Sequence, residues 1–435
     1  MNEKRTTVYI PCLPALSSDD LSLYKEIHAA HLDLVEKLHS AGLRVGDIDG
    51  SRASLQSMMR HAAQSDAFIF PPMTSLKESH PKFKAEAAQR WFEFFSLVTG
   101  VHVGNKEKYG ADDKAKPCVI MDPDGQWQLA TELLDDIKAK GMFSSSVSDI
   151  VHVVNGVTKS LTYQERNDRA VKELCAIIAE GKGKTLKSVP KMYSRDTTFD
   201  AFRKTEHRHE FGIAMFGSAS TKEKSYIDAT YELAKRVGQR GWRMSTGAGN
   251  EGCMGAMDSG FTAGSEEFNR IYPDAPFKPA HVGASTQSIL QIEGPPPGVS
   301  QLIITRNIYD RIHVMLKGNK SPDKTQRAKD TTKVVYVVPG GTGTLHEFAA
   351  MMQLALHSKD MQEKTIVLYN VPNHLNPREG FWDKLIETAK KLGFAEHCEI
   401  AATPDEAIAI GDREYKKWTE RHPEYAALPH PVFNA

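Results

Sequence analysis

The sequence is poor in cysteine, and the five it has (Cys12, Cys118, Cys175, Cys253 and Cys398) are scattered. They are odd in number and form no CxxC pair, which argues against a disulfide framework and a zinc ribbon. They are expected to be small buried residues in a reducing compartment. Net charge is missing too, since 55 Lys and Arg balance 55 Asp and Glu. Such a chain is not a general nucleic-acid coat, and no nucleic-acid partner is expected. No apolar run approaches the roughly 18 residues that would cross a bilayer, so no membrane partner is expected either. The opening residues, MNEKRTTVYIPCLPALSSDD, lack the apolar core of a secretory signal, and the expected compartment is the cytoplasm.

What is present is the composition of a soluble globular protein, with 40% hydrophobic and 25% charged residues in a chain of 435. At roughly 150 residues per domain, that length holds two or three domains. Short β-rich runs alternate with helical patterns, which predicts parallel sheets in α/β domains. The first half reads as strands at 6–11, 66–70 and 118–121, with helices at 20–40, 82–99 and 127–140. The second half reads as strands at 212–217, 243–246, 302–305, 333–338 and 364–369. Helices are expected over 222–239, after the loop 246–255, over 307–318, from Leu345, and over 380–392. KVVYVV (333–338) has the β-branched and aromatic content of a buried central strand.

The halves look like distant copies. KPCVIMDPDGQWQLATELLDDIKAKGMF (116–143) parallels KTIVLYNVPNHLNPREGFWDKLIETAKKLGF (364–394), and DAFIFPPMTSLKE (66–78) occupies the place of KVVYVVPGGTGTLHE (333–347). Between them, 156–205 begins with a helical stretch and continues Gly-, Lys- and Ser-rich, so it reads as a linker or arm. The expected division is therefore a degenerate α/β copy at 1–155, an arm at 156–205, a catalytic domain at 206–421 and a Pro-rich tail at 422–435.

Chemistry concentrates in PGGTGTLHE. Pro339 ends a central strand, and Gly340, Gly341 and Gly343 follow with the hydroxyls of Thr342 and Thr344. Glycines allow positive φ and close approach of backbone N–H groups to a ligand. With the unpaired N–H groups of a helix N-terminus they make a phosphate cradle at the carboxyl edge of a parallel sheet. Leu345 is expected to start the helix, with Glu347 in its first turn beside the cradle. A second glycine loop, TGAGNEGCMG (246–255), contains Gly247, Gly249 and Gly252. It superficially matches a dinucleotide fingerprint, but it lies on the second strand of its unit and no acidic residue closes a following strand near 272. Two such loops converging on one crevice suit a monophosphate or a ribose better. Gly217 and Ser218 are expected on the opposite wall. Arg311, a fixed positive fork on a helix, suits a phosphate or a carboxylate.

These residues resemble the LOG family of nucleoside 5′-monophosphate phosphoribohydrolases, which are often labelled lysine decarboxylases. PGGTGTLHE is similar to the family's PGGxGTxxE signature, and DRIHVM (310–315) to its R-K-x-x-M helix, with Ile312 in place of Lys. GASTQSILQIEGPPPGVSQLIITRNIYDR (283–311) is similar to the branch containing bacterial pyrimidine/purine nucleotide 5′-monophosphate nucleosidases. The resemblance covers about 210–410. It implies a Rossmann-like parallel sheet, catalysis by Glu347 and Arg311, and a nucleoside 5′-monophosphate as substrate, with no metal or other cofactor. It also implies a homo-oligomer or an intramolecular pseudo-dimer. His346 stands where Glu is common, which bears on the choice of base. Two alternatives stay open: a cytokinin-activating enzyme acting on N6-substituted AMP, and a non-hydrolytic nucleotide- or cofactor-binding carrier.

In the first half Pro71 and Pro72 stand where the cradle would begin. Proline has no N–H and cannot take positive φ, so no backbone phosphate cradle is expected there. His207 and His209 in EHRHE lack further metal ligands. A pyridoxal-type decarboxylase would need a Schiff-base lysine in a recognisable site, whereas Glu347 follows the glycine motif here.

Overall fold

The computed structural model describes residues 6–11, 21–45, 65–73, 80, 82–99, 116–142, 151–181, 210–286, 289–290, 296–305, 308–317 and 332–425. The chain divides into two compact units. Met1–Lys138, Ser144–Ser194 and Lys390–Gly393 form one; Ala139–Phe143, Arg195–Ala389 and Phe394–Ala435 form the other.

The N-terminal unit contains strands β1 (Thr7–Tyr9), β2 (Arg44–Val45), β3 (Ala67–Phe70), β4 (Cys118–Ile120) and β5 (His152–Val153). Its helices are α1 (Leu21–Ser40), α2 (Phe83–Phe94), α3 (Gln128–Ala139) and α4 (Tyr163–Gly181). The sheet runs β2-β1-β3-β4-β5 with every pair parallel. Its core joins Val8, Ile69 and Val119 of the sheet to Leu34 and Leu38 of α1 and to Ala170, Val171 and Leu174 of α4. The arm expected over 156–205 is therefore corrected over Tyr163–Gly181. Apolar residues at helical spacing bury α4 in this core, and Asn167 Nδ2 ties it to α1 at Ala30 O (2.9 Å) and Asp33 Oδ2 (2.8 Å). The glycine- and lysine-rich stretch 182–205 lies outside the described residues, as do 206–209, the histidines among them.

The C-terminal unit contains β6 (Gly212–Phe216), α5 (Lys224–Gln239), β7 (Arg243–Thr246), α6 (Gly252–Ile271), β8 (Ala280–Thr286), β9 (Gln301–Thr305), α7 (Ile308–Lys317) and β10 (Thr332–Val337). After these come α8 (Thr342–His357), α9 (Lys359–Gln362), β11 (Thr365–Tyr369), a small hairpin of β12 (Pro372–Asn373) and β13 (Asn376–Gly380), α10 (Asp383–Leu392), β14 (Cys398–Ala401) and α11 (Pro404–Arg421). The main sheet runs β14-β11-β10-β6-β7-β8-β9, again entirely parallel. Val334–Val338 are fully buried, as expected of a central strand. The tail begins with a 3-10 turn, Pro423–Tyr425, whose Tyr425 ring lies 4.7 Å from that of Trp418; residues 426–435 lie outside the described ones.

The sheets share a plan. Read from the far edge, β5-β4-β3-β1-β2 repeats β14-β11-β10-β6-β7, and the C-terminal sheet adds β8 and β9. The same local hydrogen bonds recur. Trp127 Nε1 donates to Pro71 O (3.0 Å) beyond β3, and Trp382 Nε1 to Val337 O (3.1 Å) at the end of β10. Asp122 Oδ1 accepts from Trp127 N (3.0 Å), and Asn370 Oδ1 from Trp382 N (2.6 Å). The ammonium of Lys116 reaches Ser65 O, and that of Lys364 reaches Thr332 O. Gly141 and Gly393 both take positive φ, at 73° and 77°.

Helices α5 and α6 approach backbone to backbone. A Cβ on Gly264 would stand 2.0 Å from Lys235 O and 2.9 Å from Gln239 N, and one on Gly260 would stand 2.3 Å from Tyr231 O. Backbone atoms cannot rotate away as side chains do. Gly264→Ala is thus expected to push the helices apart and destabilise the unit by about 1–3 kcal/mol. Chemical denaturation followed by far-UV circular dichroism measures this, and an unchanged midpoint would contradict the close packing.

Burial raises the thiol of Cys253 to about 12 and that of Cys118 further, so neither is a ready nucleophile. No helix among the described residues is long and apolar enough to cross a membrane.

Candidate active site

Three loops leave adjacent strands at the carboxyl edge of the C-terminal sheet: 338–341 after β10, 217–223 after β6 and 247–251 after β7. Neighbouring parallel strands place them side by side. Ser218 N donates to Pro339 O (3.3 Å), and Met254 N, in the first turn of α6, donates to Ser218 O (3.2 Å). Gly217 is compressed between Val338 and Met257, with room for no Cβ. The segments bearing Gly217, Ser218, Gly249, Gly252, Gly340 and Gly341 are thus brought together, and all six residues except the solvent-edge Gly252 are buried.

Helix α8 begins at Thr342, three residues before the sequence suggests, because Gly341 serves as its N-cap. Thr342, Gly343 and Thr344 form the first turn with its unpaired N–H groups. Glu347 falls in the second turn, and is therefore not placed to complement the helix dipole. The glycines serve differently from expectation as well. Gly340, Gly341 and Gly343 are not among the residues with positive φ, whereas Ala248 (56°) and Gly252 (57°) are. At Gly340 the need is space: a Cβ would stand 2.1 Å from Thr344 Oγ1. At Gly343 a Cβ would meet nothing within 4 Å. Thr344 Oγ1 is buried beside this loop without a hydrogen-bond partner in the protein.

Arg311, on α7, and Glu347, on α8, form an ion pair of 3.0 Å (Nη1 to Oε1), with residues only 6% and 4% exposed. The guanidinium is committed on its other edges. Its Nε donates to Ala284 O (3.0 Å) on β8 and its Nη2 to Gly247 O (3.1 Å). A Cβ on Gly247 would stand 1.7 Å from Nη2, so only glycine allows that contact. Arg311 thus ties the β7 loop, β8 and the Glu347 carboxylate together. Met315, one turn along α7, is fully buried, consistent with the shared face that helical spacing predicts.

The sequence reading missed a polar chain beneath the β7 loop. Ala248 N donates to Thr246 Oγ1 (3.2 Å), and Thr246 Oγ1 lies 2.8 Å from His281 Nε2. His281 Nδ1 lies 2.9 Å from Asp258 Oδ1, and Asp258 Oδ2 accepts from Gly298 N (3.0 Å). With the hydroxyl proton of Thr246 directed to Nε2, the ring proton sits on Nδ1 and faces the carboxylate. Every member is satisfied, so the chain braces Ala248 in its positive-φ conformation. Its only sequence signal is a His on a strand, and β8 (AHVGAST) carries too many small residues to read as a strand.

Residues 254–410 match the family described as possible lysine decarboxylase. The chain is 25% identical over 217 residues to a probable cytokinin riboside 5′-monophosphate phosphoribohydrolase, LOGL2, of Oryza sativa subsp. japonica, covering 49% of this chain and 76% of that protein. It is 23% identical over 216 residues to the probable enzyme of the same description, LOG6, of Arabidopsis thaliana, covering 49% and 92%. Among solved structures, the Moco carrier protein of Chlamydomonas reinhardtii aligns with 48% of this chain and 99% of its own, at 20% identity and a TM-score of 0.30.

Proposed function

From the premise that the C-terminal unit is a LOG-family domain, we propose that the chain hydrolyses the N-glycosidic bond of a nucleoside 5′-monophosphate. Water adds across the bond between the base and ribose C1′. The hydroxyl goes to C1′, the proton goes to the departing base, and ribose 5-phosphate remains. The 5′-phosphate is held by the N–H groups of Gly340–Thr344 and the hydroxyls of Thr342 and Thr344, with Gly217, Ser218 and the loop of Gly247, Gly249 and Gly252 as the facing wall.

The observation that carries this reading is the Arg311–Glu347 pair, buried beneath the glycine loops. A buried ion pair is a poor investment for stability alone. Placed at a phosphate-type crevice, a carboxylate meets the positive charge that develops on the sugar as the base departs, and stabilises it or activates the attacking water. Arg311 pairs with that carboxylate and aims it. Its remaining contacts go to the carbonyls of Ala284 and Gly247 and to Met254 Sδ (3.9 Å), so it acts through Glu347 rather than by holding the phosphate.

The N-terminal unit, with Pro71 and Pro72 at the equivalent strand end, is a degenerate copy of the same plan and carries no hydrolase site in this reading. A second substrate reading, N6-substituted AMP, is favoured by the names of the rice and Arabidopsis relatives. Incubation with AMP, GMP, CMP, UMP and isopentenyl-AMP, with chromatography of the released base, tests both. Release from the unmodified nucleotides supports the broad nucleosidase, and release from isopentenyl-AMP alone supports the cytokinin-type enzyme. Nucleotide binding with no base released from any of the five would overturn hydrolysis and leave a carrier.

A further inference from the structure

A cavity of about 240 Å³ opens at the carboxyl edge of the N-terminal sheet. Ile10 follows β1, Pro71 and Pro72 follow β3, and Met121, Pro123 and Asp124 follow β4; α1, α2 and α4 close the sides. This is the edge at which parallel α/β sheets bind ligands. It is also the edge that, in the other unit, carries the glycine loops. Pro71 and Pro72 bring no N–H, and Pro71 O is taken by Trp127. Backbone amides of these residues therefore do not hold an anion here.

A side chain offers the charge instead. Arg90, on α2, lines the cavity and is 4% exposed, yet its Nη1 has no hydrogen-bond partner. Glu93, one turn on, is within electrostatic reach but makes no ion pair with it, and burial holds the Glu93 carboxyl above its usual range. His31, also in the lining, is pushed down to about 4 by burial, with the Arg90 charge adding to the effect, and so stays neutral at physiological pH. An unsatisfied N–H on a buried guanidinium is costly unless something answers it. A second orphan lies in the same lining: Asp124 Oδ1 is buried without a partner. Arg166 and Lys159 also line the cavity, although Arg166 is spent on Thr158 O (3.1 Å) and Lys159 O (2.9 Å). The remaining lining is mixed: Ile10, Ile27, Ala30, Leu34 and Met121 are apolar, whereas Glu26, Tyr163 and Asn167 are polar.

We propose that this crevice is a second ligand site, taking a small organic oxyanion whose acidic group sits on Arg90 and whose hydroxyl or amino group meets Asp124. The duplicated plan thus keeps its binding edge but changes the means of holding an anion, from backbone amides to one buried guanidinium. Phosphate esters and carboxylates share this chemistry, and the test separates them.

The full-length chain is titrated calorimetrically with inorganic phosphate, ribose 5-phosphate and gluconate, with ribose as the neutral control. The variants are Arg90→Met and Ala30→Phe, the latter filling the cavity without altering charge. At least one oxyanion is expected to bind the wild type at a site that weakens about 10- to 100-fold in Arg90→Met and is lost in Ala30→Phe. Ribose should not bind there, and base release from nucleotides should be unchanged in both variants. Ribose 5-phosphate alone binding identifies a phosphate ester; gluconate alone identifies a carboxylate. Binding of none of the three oxyanions to the wild type, or binding that Arg90→Met and Ala30→Phe leave unchanged, would overturn the proposal.

Discussion

Glu347→Gln is expected to keep the fold and the nucleotide affinity while slowing base release by about 10²-fold or more. Glutamine matches glutamate in shape and can still face Arg311 Nη1 through its carbonyl oxygen. What it removes is the negative charge. In the proposed mechanism that charge faces the sugar carbon as positive character grows on it. The loss should therefore appear in kcat, with KM changed little, since the ground-state sugar carries no such charge. Single-turnover release of base, alongside nucleotide binding by calorimetry, separates the two. Release at close to the wild-type rate would remove Glu347 from the chemistry.

Arg311→Ala is expected to damage both stability and turnover. It strands the Glu347 carboxylate, which is 4% exposed, and deprives Ala284 O and Gly247 O of their donor. Breaking a buried pair from one side costs about 3–5 kcal/mol. The stranded carboxylate relieves that cost by taking up a proton or turning away, and either response removes it from catalysis. Turnover should fall by at least the factor expected for Glu347→Gln. Arg311→Lys tests the geometry: it keeps the charge but loses the planar fork that reaches three acceptors, so it should recover only part of either loss. Urea unfolding and base release measured on the same samples check this. An Arg311→Ala chain with unchanged midpoint and turnover would show the ion pair to be incidental.

Much of the fold was legible because parallel strands buried on both faces leave dense apolar runs. KVVYVV and KTIVLY announce β10 and β11, and the Gly-rich turns after β7 and β10 mark where helices begin. Where burial is achieved with small residues, the signal fails. β8 carries Gly283, Ala284 and Ser285 and is not among the strands expected from the sequence, yet it supplies both His281 and the carbonyl that fixes Arg311. The pairing of Asp258 with His281 was illegible for a related reason. The two lie 23 positions apart and meet only because β7 and β8 are adjacent. Motif spacing within one loop is readable, whereas spacing across a crossover depends on strand order. Arg90 is the extreme case: a helical arginine in a mixed-charge segment reads as surface, and only its burial marks it out. Helix α4 was read as helical but given to an arm rather than to the core, because the lysine- and glycine-rich run that follows it lent the whole stretch the look of a linker.

The contrast between Gly340 and Gly343 bears on how this loop can vary among descendants of the chain. At 340 a methyl group collides with the protein's own Thr344, so substitutions there are removed by selection for folding, whether or not the site is used. At 343 a methyl group meets open space, so the folded chain itself imposes no such penalty. Any purifying pressure at that position has to come from the molecule that occupies the crevice. A lineage that kept the fold but abandoned the ligand would therefore drift at 343 first and hold 340, and the order in which the two glycines are lost records when binding ceased.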